Sequence, residues 1–173
     1  MKKLIAISLA VVLVLTLGAG VALAAGKNGQ AGKSNVGHLY LYEKDPTDWS
    51  IVEDGAWGKM KYNLSGSTFD FVFNGHGLEA NTDYSLIYYP ELQTTWPWPV
   101  TVIDSGMTNN GGNINLAGSV ELNMDLPDPN NPQDGAKIWL VLTADIINGE
   151  LAGWNPTEYL FENNLIKYDD TDV

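Results

Sequence analysis

The chain has 173 residues and a net charge of −12, with 9 basic against 21 acidic side chains, and every basic residue is a lysine. Without arginine forks, and at that charge, a nucleic-acid partner is excluded and adsorption to an anionic membrane surface is disfavoured. The absence of cysteine rules out disulfide staples, a thiol nucleophile and zinc sites built on thiolates. The length suits one ordinary domain stabilised by packing alone.

Residues 1–24 read as a secretory signal peptide. Met1-Lys2-Lys3 is a positive start, an uncharged apolar run follows from Leu4, and Ala22-Leu23-Ala24 supplies the small residues that a signal peptidase accepts. The competing reading is a transmembrane anchor over Leu4 to Ala25, long enough to span a bilayer; the A-x-A exit favours cleavage after Ala24, and the mature chain is then expected to be secreted, at the cell surface or outside it. Residues 25–35 (AGKNGQAGKSN) carry no apolar periodicity and read as a flexible arm. The folded domain is expected over 36–168, with an acidic tail at 169–173.

Within that domain apolar residues alternate with period 2, the spacing of a half-buried strand. Leu39 and Leu41 oppose His38, Tyr40 and Tyr42. Met60, Tyr62 and Leu64 face away from Lys59, Lys61 and Asn63. Phe69, Phe71 and Phe73 form one row, and Tyr84, Leu86 and Tyr88 another. The longest run is Ile114, Leu116, Val120, Leu122 and Met124, with Gly118 on its inner face as a bend or close approach. Ile138 to Leu142 is apolar on both faces and reads as a central strand. Ser65-Gly66-Ser67 suits a hairpin turn, and Asn110-Gly111 a type I′ turn leading from Val100–Asp104 into Ile114. Three prolines between Asp125 and Pro132 make that segment a loop. No stretch after the leader has the periodicity of a long helix. The fold expected is all-β, a single antiparallel β-sandwich of eight or nine strands.

Leu78-Glu79-Ala80-Asn81-Thr82-Asp83-Tyr84 resembles the tyrosine corner of fibronectin type III and immunoglobulin-like sandwiches, in which the tyrosine hydroxyl bonds back to the preceding corner. A broader resemblance rests on Gly37-His38-Leu39-Tyr40-Leu41-Tyr42-Glu43-Lys44-Asp45-Pro46, Gly55-Ala56-Trp57-Gly58-Lys59-Met60, Phe71-Val72-Phe73-Asn74-Gly75-His76-Gly77-Leu78, Ile138-Trp139-Leu140-Val141-Leu142 and Gly153-Trp154-Asn155-Pro156-Thr157-Glu158-Tyr159-Leu160-Phe161. In these segments the chain is similar to small secreted β-proteins of methanogenic archaea. The resemblance implies an extracellular β-protein, some relatives of which look like subunits of sheaths or surface coats, and it brings no catalytic residues.

Few residues are candidates for chemistry. His38 and His76 are the only histidines, too few for a histidine-based metal site. No Gly-x-Ser-x-Gly elbow is present. Asp125, Asp128, Asn130 and Asp134 are hard oxygen ligands of the type calcium takes, but prolines break the spacing of an EF-type loop, and a solvated acidic turn is the preferred reading. Asn63-Leu64-Ser65 is a glycosylation sequon. Trp96-Pro97-Trp98-Pro99 holds two indoles on a stiff segment, either a platform for a sugar ring or a lid on the core end. No enzyme activity and no cofactor are expected. The leading expectation is a structural protein that polymerises with itself through β-edges, with Asn113 to Met124 as the free edge and the amides of Asn109, Asn110, Asn113, Asn115 and Asn123 stacking laterally. The alternative is a secreted carbohydrate-binding or adhesive module with polysaccharide as its partner.

Overall fold

The computed structural model describes residues 34–130 and 133–173. The expected leader, residues 1–24, and all but the end of the arm lie outside them. The described chain is nearly all β, and only two short 3-10 turns, Thr143–Asp145 and Pro156–Glu158, interrupt the strands. In chain order the strands are β1 (Val36–Tyr42), β2 (Trp57–Asn63), β3 (Ser65–Gly66), β4 (Phe69–His76), β5 (Asp83–Tyr89), β6 (Trp98–Pro99), β7 (Thr101–Met107), β8 (Ile114–Val120), β9 (Lys137–Leu142), β10 (Ile146–Ile147), β11 (Glu150–Leu151), β12 (Phe161–Glu162) and β13 (Asp169–Asp170). Seven are long and six are two-residue pieces.

The large sheet runs β12-β1-β2-β4-β8 and a three-stranded sheet runs β7-β5-β9, both antiparallel throughout. Their alternating apolar rows meet in one cluster: Leu39 and Leu41, Met60 and Tyr62, Phe69, Phe71 and Phe73, Ile114 and Leu116 from the large sheet, with Tyr84, Leu86, Tyr88, Ile103, Ile138 and Leu140 from the small one. The expected burial of the phenylalanine row and of Tyr84 with Leu86 is thus observed. Tyr84 is fully buried, and its hydroxyl accepts a hydrogen bond from the Glu79 N–H at 3.4 Å, the bond expected of a tyrosine corner.

Several expectations need correction. Ile138 to Leu142 is not the central strand of its sheet; β5 is, and β9 ends the ladder. Both strands are apolar on both faces because each face is covered. Alternate residues Ile87, Tyr89, Trp139 and Val141 point away from the first cluster and join Leu151, Tyr159 and Phe161 in a second one, under the small sheet β10-β11-β6. The Asn110-Gly111 segment does not close a hairpin, since β7 pairs with β5 and β8 with β4; it carries the chain between sheets, and the positive φ falls at Gly112 (68°). β8 stops at Val120, short of Met124, where its partner β4 begins opposite it at Phe69, and Asn123 beyond it takes φ 55°. Gly118 is exposed and needs no missing side chain, since a Cβ there would sit at ordinary contact, 3.6 Å, from Phe71. Leu64 lies outside β2 and is exposed.

The acidic end is not a free tail over its whole length. Asp169 and Asp170 form β13, which pairs in parallel with Ser65–Gly66, and Asp170 is buried, its N–H donating to Asp125 Oδ1 at 2.9 Å. The C-terminal segment sews one flank of the molecule. Leu160 bridges Leu140 just before β12 joins β1, Ile166 bridges Ala136, and Tyr168 bridges Leu126. The opposite flank has no such seam: β7 and β8 are the end strands of their sheets, and no ladder joins them among the described residues.

Sewing the end in this way buries phenols beside acids. Tyr168 donates from its hydroxyl to the Gly66 carbonyl at 2.6 Å. Burial, and after it the carboxylates of Asp170, Asp70, Asp172 and Asp125, push it up to about 12. Burial and Glu91 push Tyr89 up to about 12 as well. The folded chain keeps these phenols protonated where the unfolded chain would ionise them near pH 10. Their contribution is complete below about pH 10 and is lost as pH rises through 12. The thermal midpoint is expected to fall across that window, and to fall less in Tyr168→Phe; a midpoint unchanged over it would contradict the assignment.

Candidate ligand pocket

The second apolar cluster is open on one side. Lys44, Trp49, Trp98, Lys137, Trp139, Trp154, Phe161 and Glu162 line a pocket of about 320 Å³ there. Its walls are aromatic rings, several of them set edge to face. Trp139, on β9, stacks on Tyr89 with centroids 4.3 Å apart and planes 16° from parallel. Trp98, on β6, stands edge-on to Tyr89 (5.5 Å) and to Trp154 (5.4 Å). Trp49 stands edge-on to Phe161 at 5.1 Å. Such perpendicular arrangements suit the ring quadrupoles and leave a boxed space between the rings.

Two loops bring in the outer indoles. Residues 45–50 form a turn in which Asp45 Oδ1 accepts from the Thr47 N–H (2.8 Å), Asp48 Oδ1 accepts from the Ser50 N–H (2.9 Å) and the Asp45 carbonyl accepts from the Trp49 N–H (2.7 Å). Trp49 at its tip has φ 62°, a left-handed conformation that costs a bulky residue about 1–3 kcal/mol. Trp154 is set by a buried carboxylate. Asp145 accepts from the Tyr159 hydroxyl at 2.5 Å and from Asn155 Nδ2 at 3.0 and 2.9 Å, while its carbonyl takes the Ala152 and Gly153 N–H groups. Gly153 has to be glycine here, because a Cβ would run into the Asp145 carboxylate. Burial first, then the bond to Asp145, pushes the Tyr159 phenol far above its ordinary value, so the hydroxyl stays a donor.

The polar end of the pocket is nearly neutral. Lys44 Nζ donates to the Glu162 carbonyl at 2.9 Å. Lys137 is paired with Glu91 and lies 5.9 Å from the Tyr89 ring centre. Burial raises the Glu162 carboxyl above its usual range, opposed by its own backbone N–H, by Lys137 and Lys44, and least by Trp139. The Trp139 indole N–H leans toward that carboxyl without completing a hydrogen bond. Trp139 Nε1 and Glu162 Oε2 are buried and have no partner among the described residues, and Trp139 is only 7% exposed.

Of the two indoles singled out in the sequence, Trp98 lines the pocket and Trp96 does not. Trp96 is half exposed and packs edge-on to Trp98 at 4.8 Å. Trp49, Trp139, Trp154 and Glu162 were not foreseen; the signal available was six tryptophans in one small domain. The calcium candidates are not gathered. Asp125 caps the Asp170 N–H, Asp128 Oδ1 accepts from the Asn130 N–H and side-chain amide in a local turn, and Asp134 pairs with Lys167. Among the described residues no group of three acidic or histidine side chains could hold a metal ion. Asn63 ties its own hairpin, donating to the Ser65 and Thr68 carbonyls and accepting from the Asp70 N–H. His38 is exposed on β1, and His76 Nδ1 lies 2.7 Å from Asn113 Oδ1. The asparagine amides are likewise used inside the chain, Asn115 on Asn74 and Asn109 on the turn 109–113. Comparison with family models, curated proteins and solved structures gives no match to this chain.

Proposed function

We propose that the protein is a secreted β-sandwich module that binds carbohydrate in the aromatic pocket. The observation that carries this reading is a box of four indoles and Phe161 with buried, unpartnered polar atoms in its wall. Apolar ring faces pack on the C–H faces of a sugar while a few polar groups take its hydroxyls. The volume is at the small end of ligand pockets, roughly 300–1,000 Å³, which favours one or two sugar units over the length of a chain. Binding without turnover is proposed, since glycoside hydrolysis uses a pair of carboxyl groups and Glu162 is the one acid among the lining residues. Titration of the purified chain with soluble oligosaccharides, followed by tryptophan fluorescence, tests it. A saturable change supports the reading, and no response to any glycan across a broad array defeats it.

A second reading is self-assembly at the cell surface, the role that the resemblance noted in the sequence implies. Its specific support is the unsewn flank. β8 ends the large sheet, has no charge or proline in Ile114–Val120, and exposes Ala117, Gly118 and Ser119. In so acidic a chain this is a flank where two copies meet with little charge repulsion. Lysine at both Ala117 and Ser119 is expected to prevent association seen by light scattering, most strongly at low salt, with the melting midpoint nearly unchanged. Association that survives the pair places the contact elsewhere.

A further inference from the structure

Among the described residues the Trp139 N–H, which leans toward the Glu162 carboxyl, completes no hydrogen bond, and Glu162 Oε2 receives none. Both belong to the lining of one pocket. A buried polar group left unpaired destabilises the fold, and two such groups side by side mark a place that a ligand atom can satisfy. We infer that one hydroxyl of the ligand bridges them, accepting from the Trp139 N–H and donating to Glu162 Oε2, and that the pocket therefore selects an uncharged sugar over an ionised one. This rests on the carbohydrate reading above.

The chemistry of the pair decides the class. A hydroxyl is donor and acceptor at once; an ammonium only donates and a carboxylate only accepts, so either leaves one of the two protein atoms unsatisfied. The surrounding charges point the same way. Lys137 is taken by Glu91, Lys44 is anchored on the Glu162 carbonyl, and Glu162 stands near both lysines. An ionic ligand would give up its hydration among apolar rings and find no unengaged counter-charge.

The test uses calorimetric titration with the methyl glycosides of glucose, mannose and galactose, and with glucuronic acid and glucosamine as ionised counterparts. Trp139→Phe keeps an aromatic ring and removes the N–H; Glu162→Gln keeps the shape and changes the acceptor. Each is expected to weaken the best neutral glycoside about tenfold, the loss of one hydrogen bond of roughly 1.4 kcal/mol. The double variant is expected to lose more than either single one, because it removes both bonds of the bridge. Ionised sugars should bind at least tenfold more weakly than neutral ones. If Trp139→Phe does not fold, Glu162→Gln and the neutral-to-ionised ratio still decide. Unchanged affinity in the variants or tighter binding of the uronate overturns the bridge while the carbohydrate reading stands; so does a ligand-bound crystal structure with water between the two atoms. Failure of every sugar to bind the unmodified chain overturns both.

Discussion

Trp154→Ala is expected to weaken glycan binding by roughly 30- to 1,000-fold, or about 2–4 kcal/mol, as the loss of a central aromatic anchor does. Trp154 is the ring on which the box converges: it packs against Trp98, Trp139, Trp49 and Phe161, and it is held from behind by Tyr159 at 5.6 Å. At 38% exposed it is reachable from solvent and contributes little to the core, so its removal is expected to cost only about 1 kcal/mol of stability. Trp96→Ala is the internal comparison. That indole touches Trp98 from outside the pocket, and its loss should change affinity less than about twofold, as a surface substitution away from the site does. If the two substitutions act alike, the Trp96–Trp98 segment is the binding surface and the pocket is not. Asp145→Ala separates position from contact: the carboxylate is buried in its own network, and removing it should loosen the 152–159 loop.

The largest effect on stability is expected at Phe73. Its ring, the last of the phenylalanine row, is fully buried and lies so close over Gly58 that a Cβ there would strike it. Flanked by ladders on both sides, β2 and β8, the backbone around the ring cannot collapse into the space it leaves. Phe73→Ala should therefore cost about 3–5 kcal/mol, a large share of the 5–15 kcal/mol typical of a domain. Denaturant unfolding measures this directly. A loss below about 1 kcal/mol would mean the row faces a partner and that inside and outside are reversed. At the flank, by contrast, proline at Asn123 is a poor probe of the edge, because φ 55° there is closed to proline, and its effect would come from strain and not from a lost edge donor.

The large sheet was legible because each of its strands buries one face. Alternation in Leu39–Leu41, Met60–Tyr62 and Phe69–Phe73 is the direct record of that arrangement. The pocket was not legible for the opposite reason. In Ile138–Leu142 both parities are apolar, so the pattern told of burial without telling that Trp139 turns away from Ile138 and Leu140 into a separate cluster. Trp49 and Trp154 sit on loops, where no periodicity assigns a face, and they meet only because Asp45 and Asp145 organise turns about 100 residues apart in the chain. The edge at β8 could be suspected from the absence of lysine and proline, but its end point depended on where the partner strand β4 begins, at Phe69 opposite Val120, which no alternation within 114–124 records. The acidic terminus was misread as tail since charge alone does not reveal that Asp170 caps against Asp125.

The six tryptophans give six indole N–H signals, and following them by nuclear magnetic resonance as a neutral oligosaccharide is added tests the central claim most directly. The pocket reading predicts that the signals of Trp49, Trp98, Trp139 and Trp154 move together with one affinity, Trp139 furthest, while Trp57, packed beside His76 on the large sheet, stays in place. Movement of Trp57 alone, or of none of the four, would contradict it.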